Sequence, residues 1–342
     1  MARGARAVTP PPLTFCGRFP HLAQRERFRL PPRHTLISSV KDEGPFLLEW
    51  VAHHRVLGFD RILIASNDCS DGSDRLLGAL DQAGYITHVP NALKPGDIPQ
   101  HAGYEKIRRL HGIDETEWLM MLDADEFLNV HVGDHRVADL TERAEADIDV
   151  VALYGMFFTS HPVARWRAGR VCPLFTHRLP TQHKANAALK TLTRHPGRFR
   201  GIHNHSMVGF KDKVPLQVLW GDGTRTQTDP ALPLWRQLRN GDVKAVSHRL
   251  AQYNHYGLKA PDSFALRRAR GRGAVPETNA ETARHTEAYF AERNQPGGED
   301  HSIARYGAEV QALMAEMLGH QKIKRRQRVC EESYAALLAA IR

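Results

Sequence analysis

One stretch constrains this chain more than any other: Trp118-Leu119-Met120-Met121-Leu122, an apolar run of strand length, ends abruptly in Asp123-Ala124-Asp125-Glu126. Five apolar residues in a row ask to be buried, and three carboxylates within four residues ask for water or for cations. Both demands are met at the carboxyl end of a buried strand, the edge where open α/β sheets bind ligands. Hard divalent ions such as Mg²⁺ and Mn²⁺ prefer carboxylate oxygen and commonly bridge to phosphates, so an Asp-x-Asp in that position reads as a metal–diphosphate site. A solvated acidic turn closing the strand would produce the same letters. The residues by themselves leave both readings open.

The surrounding chain supplies an α/β context. Thr35–Val40 is a short β-branched run that reads as a buried strand, followed by Lys41-Asp42-Glu43-Gly44-Pro45, and proline is tolerated in a first helical turn. Phe46, Leu47, Trp50, Val51 and His54 then recur at helical spacing up to Leu57, with Gly58 as a stop. A second strand is expected over Arg61–Ser66. A helix through Leu76, Leu77 and Leu80, a third strand over Tyr85–Val89 and a helix from about Pro99 to His111 follow. The order β-α-β-α-β-α-β with short crossovers predicts a mostly parallel central sheet flanked by helices. No Gly-x-Gly-x-x-Gly follows the first strand and no Gly-Lys-Ser/Thr loop occurs, which argues against dehydrogenase and P-loop chemistry. Val150–Phe158 is strand-like. Segments rich in Gly, Pro and His then run to about residue 260, and helices dominate from Asp262, with a break at Gln295-Pro296-Gly297-Gly298.

Composition adds bounds rather than identity. At 342 residues the chain can bury a large core, and 42% hydrophobic with 25% charged residues is ordinary for a globular protein. A net charge of +9 allows an anionic partner, be it a nucleotide, a phospholipid surface or nucleic acid. No nucleic-acid-binding motif accompanies the charge, so no nucleic-acid partner is expected. The basic run Lys322–Arg328 reads first as a solvated helix face. Cys16, Cys69, Cys172 and Cys330 are far apart and form no Cys-x-x-Cys, which fits a reducing compartment. No run approaches the ~18 apolar residues of a membrane span. Arg3 and Arg6 are followed by Pro10-Pro11-Pro12 rather than an apolar segment, so no signal peptide is read. The expected location is cytoplasmic, peripheral to the inner face of a membrane at most.

The sequence resembles glycosyltransferases of the GT-A fold, most of all the family-2-like bacterial branch related to family 92 glycosyltransferases. Four stretches carry the likeness: Lys41–His54 with Leu57-Gly58-Phe59-Asp60; Ser66-Asn67-Asp68-Cys69-Ser70-Asp71-Gly72-Ser73; Leu122–Phe127; and Tyr253-Asn254-His255-Tyr256 through Lys259, Ser263-Phe264 and Arg270–Gly273. The likeness divides the chain into an irregular lead-in (1–33), a glycosyltransferase domain (34–275) and a helical C-terminal extension (276–342). It implies an inverting transfer of a sugar from a nucleotide diphosphate donor, a UDP-sugar, to a glycan or lipid-linked glycan, with Mn²⁺ or Mg²⁺ as cofactor. By position, Glu43, Asn67 and Asp68 would lie against the base and ribose. Asp123 would contact the ribose side, and Asp125 would hold the metal. Such enzymes often add a late histidine as a further ligand, and His203, His205 and His255 are available.

Two departures qualify the likeness. Asn67 stands where most family-2 members have Asp, so a base contact there would use an amide. The usual Glu-Asp pair of the acceptor region is missing between residues 126 and 260. Inversion needs a carboxylate to take the acceptor's proton. Asp222, in Trp220-Gly221-Asp222-Gly223, and Glu126 are the two residues that could serve. A catalytically decayed nucleotide-sugar- or glycan-binding module on the same fold therefore stands beside the enzyme reading. The twenty histidines make a His-x-His pair such as His203/His205 easy to obtain by chance, and structural histidines are an equally natural reading. His53 and His54 read as packing residues. Arg267, Arg268, Arg270 and Arg272 are either solvated or suited to a diphosphate. Trp166 and Trp235 are open to sugar stacking or to burial.

Overall fold

A computed structural model describes residues 32–270 and 285–341, except for the side chain of Arg270. Most of the lead-in, including Arg3, Arg6, Pro10-Pro11-Pro12 and Cys16, and the stretch Gly271-Arg272-Gly273 lie outside the described residues. The first half follows the alternation read from the sequence: β1 (His34–Val40), α1 (Gly44–Val56), β2 (Arg61–Ser66), α2 (Ser73–Gln82), β3 (Thr87–Pro90), α3 (Pro99–His111) and β4 (Trp118–Met121). β5 (Glu126–Val130) follows directly after the acidic turn, then α4 (Val137–Glu142) and β6 (Val150–Phe157). β7 (His177–Arg178), β8 (Leu189–Arg194), β9 (Phe199–Ile202), β10 (Met207–Phe210), β11 (Gln217–Trp220) and β12 (Arg225–Gln227) come next, with α5 (Leu234–Gln237) and β13 (Ala251–His255). The chain closes with α6 (Pro261–Arg270), α7 (Glu287–Arg293), β14 (Gly298–Glu299), α8 (Gly307–Gly319) and α9 (Gln321–Ala340).

Ten strands form one sheet whose main path is β12-β11-β6-β8-β4-β1-β2-β3, with β13 joined to β5 and β6. β3, β2, β1 and β4 are mutually parallel, as the crossovers predict. The sheet becomes mixed at β8, which runs antiparallel to both β4 and β6. Reversing direction twice leaves β6 parallel to β4, and β11 and β13 are each parallel to β6. The carboxyl ends of β1, β2, β3, β4, β6, β11 and β13 therefore meet at one edge, which also receives the start of β8.

The sheet is covered on both sides, which is why its central strands read as continuous apolar runs. One face packs on α1, α2, α8 and α9 through Leu36, Trp50, Leu76, Met120, Leu192 and Met317. The other packs on α3 and the β9–β10 ribbon through Ile37, Ile107, Leu119, Ala152 and Met207. α1 is buried nearly all round because it is covered by β-strands on one side and by α8 and α9 on the other. Glu49 is accordingly buried on α1. It accepts the backbone N–H groups of Val171 and Cys172, and its burial pushes the carboxyl up to about 7. His53 and His54 are packing residues: the ring of His53 bonds the carbonyl of Leu128 and that of His54 the carbonyl of Trp50. In α9 the basic run lies on the solvent side, with Lys322, Lys324, Arg325 and Arg328 exposed and Ile323 and Gln327 buried.

Candidate active site

The ligand-binding edge starts at the turns after β1 and β2. Asp42 accepts the backbone N–H groups of Ser70 and Asp71 at 2.6 and 3.2 Å, tying the two turns together. Asp71 is fully buried and accepts the N–H of Gly44 at 2.8 Å and both the N–H and hydroxyl of Ser73. This acidic turn is thus a brace for the start of α1. Glu43 sits at the N-cap position of α1, its carboxylate 3.4 Å from the ammonium of Lys259. Asn67 is buried beside the end of β1, its N–H reaching the carbonyl of Val40, and its amide donates to Asp68 at 3.1 Å.

The three carboxylates after β4 face three different sets of partners. Asp123 is about a third exposed, and its two oxygens accept Gln100 Nε2 at 2.6 Å and Lys190 Nζ at 3.3 Å. Glu126 is buried. Its Oε2 accepts the backbone N–H of Asp123 at 3.0 Å and lies 2.7 Å from Lys190 Nζ. Burial raises the Glu126 carboxyl to about 7, with Lys190 opposing and Asp123 adding to the rise. Burial alone would depress the Lys190 ammonium, but the Asp123 and Glu126 carboxylates outweigh it and hold the group firmly charged. Asp125, also buried, turns toward β13 and α6: Oδ2 accepts Arg267 Nη1 and lies 3.5 Å from His255 Nε2. Burial works against ionisation here as well, but Arg267, then His255 and Lys259, hold the carboxyl well below the usual carboxylate range.

The residues proposed as metal ligands therefore separate into two places. Asp125 and His255 are side by side. His203 and His205, at the β9–β10 turn, lie on the Asp123 side of the strand. His205 is held by the carbonyl of Leu189 at 2.8 Å, and the rings of His101, His203 and His205 stand 5.2 and 5.9 Å apart in sequence. Burial depresses His203 to about 4, helped by His101, and His205 to about 3, helped by Lys190, so both rings are neutral near pH 7. Among the described residues, no three His, Cys, Asp or Glu side chains gather closely enough to hold an ion by themselves.

Asp222 reaches the same edge from the other side. Leu219 is level with Val151, Val151 with Leu192 and Leu192 with Met120, so Asp222 is level with Asp123 three strands away. At strand spacings near 4.8 Å that is about 14 Å. Its Oδ1 accepts the N–H and hydroxyl of Thr224, and it borders the stacked pair Tyr154 and Trp220. Between Asp125 and the start of α1 lies a cavity of about 310 Å³, lined by Lys41, Glu43, Ser70, Lys259 and Arg267 on its polar side. Leu266, Leu337 and Ile341 are among the apolar residues that close it. Arg268 pairs with Glu287 in solvent. Trp166 packs against Tyr334, and Trp235 is 39% exposed beside Arg236.

Lys190 and Gln100 were not legible as site residues. The one local signal for Lys190 is a lysine inside the otherwise buried strand Leu189-Lys190-Thr191-Leu192. Gln100 has none beyond its place in the first turn of a helix.

No family model matches the chain. Over a minority of its length it is similar to plant proteins described as glycosyltransferase family 92. One from Oryza sativa subsp. japonica is 31% identical over 90 residues, which is 26% of this chain and 15% of that protein. One from Ricinus communis is 28% identical over 104 residues, 30% of this chain and 18% of that protein. The chain thus spans less than a fifth of the length of these relatives. Among solved structures it is similar to S. aureus TarS 1-349 in complex with UDP, at TM-score 0.30 and 9% identity over 39% of this chain and 38% of that one. The complex of the same protein with UDP-GlcNAc gives TM-score 0.29 and 11% identity, over 39% of this chain and 37% of that one.

Proposed function

We propose that this chain is a glycosyltransferase that moves a sugar, with inversion, from a nucleotide diphosphate donor of the UDP-sugar type to a hydroxyl of a glycan or lipid-linked glycan. The observation that carries the reading is Asp125: an ionised, buried carboxylate at the ligand-binding edge of the sheet, beside His255 and ringed by Arg267 and Lys259. The local likeness to family 92 glycosyltransferases supports the same class.

The donor set fits Mn²⁺ or Mg²⁺ in the form these ions often take, with one or two protein ligands and the remainder supplied by water and substrate phosphate. Asp125 and His255 would hold it; when bound, it would act as a Lewis acid on the departing diphosphate. Around it, Arg267 and Lys259 offer fixed positive charge to phosphate oxygens, which is worth most where charge develops as the leaving group departs. Glu43 and Asn67, at the ends of β1 and β2, are suited to the ribose and base. Glu126 is turned inward onto Lys190 and the N–H of Asp123, so it is better suited to shaping the turn than to meeting an acceptor. Asp222 is therefore the preferred general base, taking the acceptor's proton from across the cleft.

The test is calorimetric and kinetic. Wild type should bind UDP more tightly with Mn²⁺ and hydrolyse or transfer from a UDP-sugar. Asp125→Asn should reduce the cation-dependent rate at least about a hundredfold, a loss at the upper end for disturbed metal sites. Unchanged cation-dependent turnover in that variant would sink the reading. Tight UDP binding without turnover on any acceptor would favour a binding module instead.

A further inference from the structure

We infer that Arg267 is a shared-partner residue: it occupies Asp125 when the site is empty, and its release couples cation binding to nucleotide binding. The inference rests on the reading of Asp125 as a cation ligand. Three facts carry it. Arg267 Nη1 and His255 Nε2 address the same oxygen, Asp125 Oδ2, so the guanidinium stands where a cation shared with His255 would have to bind. Arg267 is held by one further contact, Nη1 to the carbonyl of Gly257 at 2.8 Å, and its Nε and Nη2 have no hydrogen-bond partner among the described residues. Its side chain is 24% exposed and lines the 310 Å³ cavity with Lys41 and Lys259, whereas Asp125 is 4% exposed.

A guanidinium has five N–H groups in a rigid fork that matches phosphate oxygens. The acid–base partners of the empty site are already complete: Asp125 with Arg267, and Glu43 with Lys259. Loading exchanges them. A cation at Asp125 competes with Arg267 and frees it for the diphosphate, while a diphosphate draws Arg267 away and uncovers Asp125. Each ligand therefore removes the obstacle to the other, and linkage requires the effect to be reciprocal. Direct contact between a cation and a diphosphate would also produce coupling, so coupling in wild type does not distinguish the idea. The sign of each single-ligand affinity does.

The experiment titrates the full chain with Mn²⁺ alone, read as free Mn²⁺ by electron paramagnetic resonance, and with UDP alone in chelator, read by calorimetry. Arg267→Gln should bind Mn²⁺ alone about fivefold or more tighter than wild type, the lower bound of ordinary coupling factors. Asp125→Asn should bind metal-free UDP more tightly, because it releases Arg267. Arg267→Gln with unchanged or weaker Mn²⁺ affinity, and a folded circular-dichroism spectrum, overturns the inference alone. If that variant does not fold, the metal-free UDP titration of Asp125→Asn decides with the same force. Wild type that binds no Mn²⁺ overturns the cation reading and the inference together.

Discussion

Lys190→Met is the most informative single change, because one ammonium faces two of the three carboxylates in the acidic turn. The lysine is 1% exposed and Glu126 is 4% exposed, with their charged atoms 2.7 Å apart. Methionine fills similar space but strands a buried carboxylate, which costs about 3–5 kcal/mol. Asp123 contributes little to that loss, no more than about 1 kcal/mol, since it is about a third exposed, farther away at 3.3 Å and still held by Gln100. Glu126 has one way out, which is to take up a proton. Its folded-state value, about 7 with Lys190 present, lies above the ordinary 4.5 and will rise further without the ammonium. A carboxyl raised in this way destabilises when ionised: the loss is complete above its folded value and shrinks as pH falls toward 4.5. Urea unfolding followed by tryptophan fluorescence should therefore find the variant more damaged at pH 9 than at pH 6. Adding Glu126→Gln should return at least about 2 kcal/mol of the loss at pH 9, as expected for residues in direct contact. A loss under about 1 kcal/mol at pH 9, or equal losses at the two pH values, would refute the ion-triad account. So would a double variant whose losses simply add.

Three further outcomes are expected. Gly44→Ala puts a methyl 2.6 Å from Cys330 Cβ and Sγ and 2.9 Å from Asp71 Oδ2; denaturation should find about 1–3 kcal/mol of destabilisation, which Cys330→Ala does not repair because its Cβ stays. His34 and His53 are depressed to about 4 by burial, so the stability they confer is present above pH 6.5 and lost as pH falls through 4. Each is worth about 3 kcal/mol across that window, and His53→Gln should flatten the acid limb of a stability–pH profile. Burial pushes Cys69 up to about 11 and raises Cys172 and Cys330 further, so a Cys16→Ser variant should resist alkylation at pH 8 until it is unfolded, as mass spectrometry can count.

The first 122 residues of architecture were legible because their signals are local. Arg61–Ser66 is a strand wherever β-branched residues bounded by turns are buried, and Pro99 with Gly112 marks both ends of α3. β5 was harder, since Glu126-Phe127-Leu128-Asn129-Val130 becomes a strand only by pairing with β13, more than a hundred residues away. The antiparallel insertion of β8 is likewise a matter of partner choice, which periodicity does not encode. At the site, Asp123 and Asp125 could be found because charge straight after a buried strand is locally improbable. Their opposite orientations could not, because the partners that set them, Lys190 and Arg267, lie 67 and 142 residues downstream. Asp71 was visible as part of a turn, but its role as a brace depends on Gly44, 27 residues earlier.

The seating of α9 has a consequence for how the chain reaches this structure. Gln327 bonds the carbonyl of Pro45 across 282 residues, and Cys330 closes on Gly44, so the final long helix completes the very first crossover. Closing so long a loop adds little to the equilibrium free energy, because the entropic term grows only with the logarithm of length. Its effect on rate is larger, since contacts distant in sequence form slowly. The parallel core can assemble from neighbouring strands and helices while the outer sides of α1 and α2 wait uncovered. That exposed apolar surface makes the interval before α9 docks the period of greatest aggregation risk during refolding.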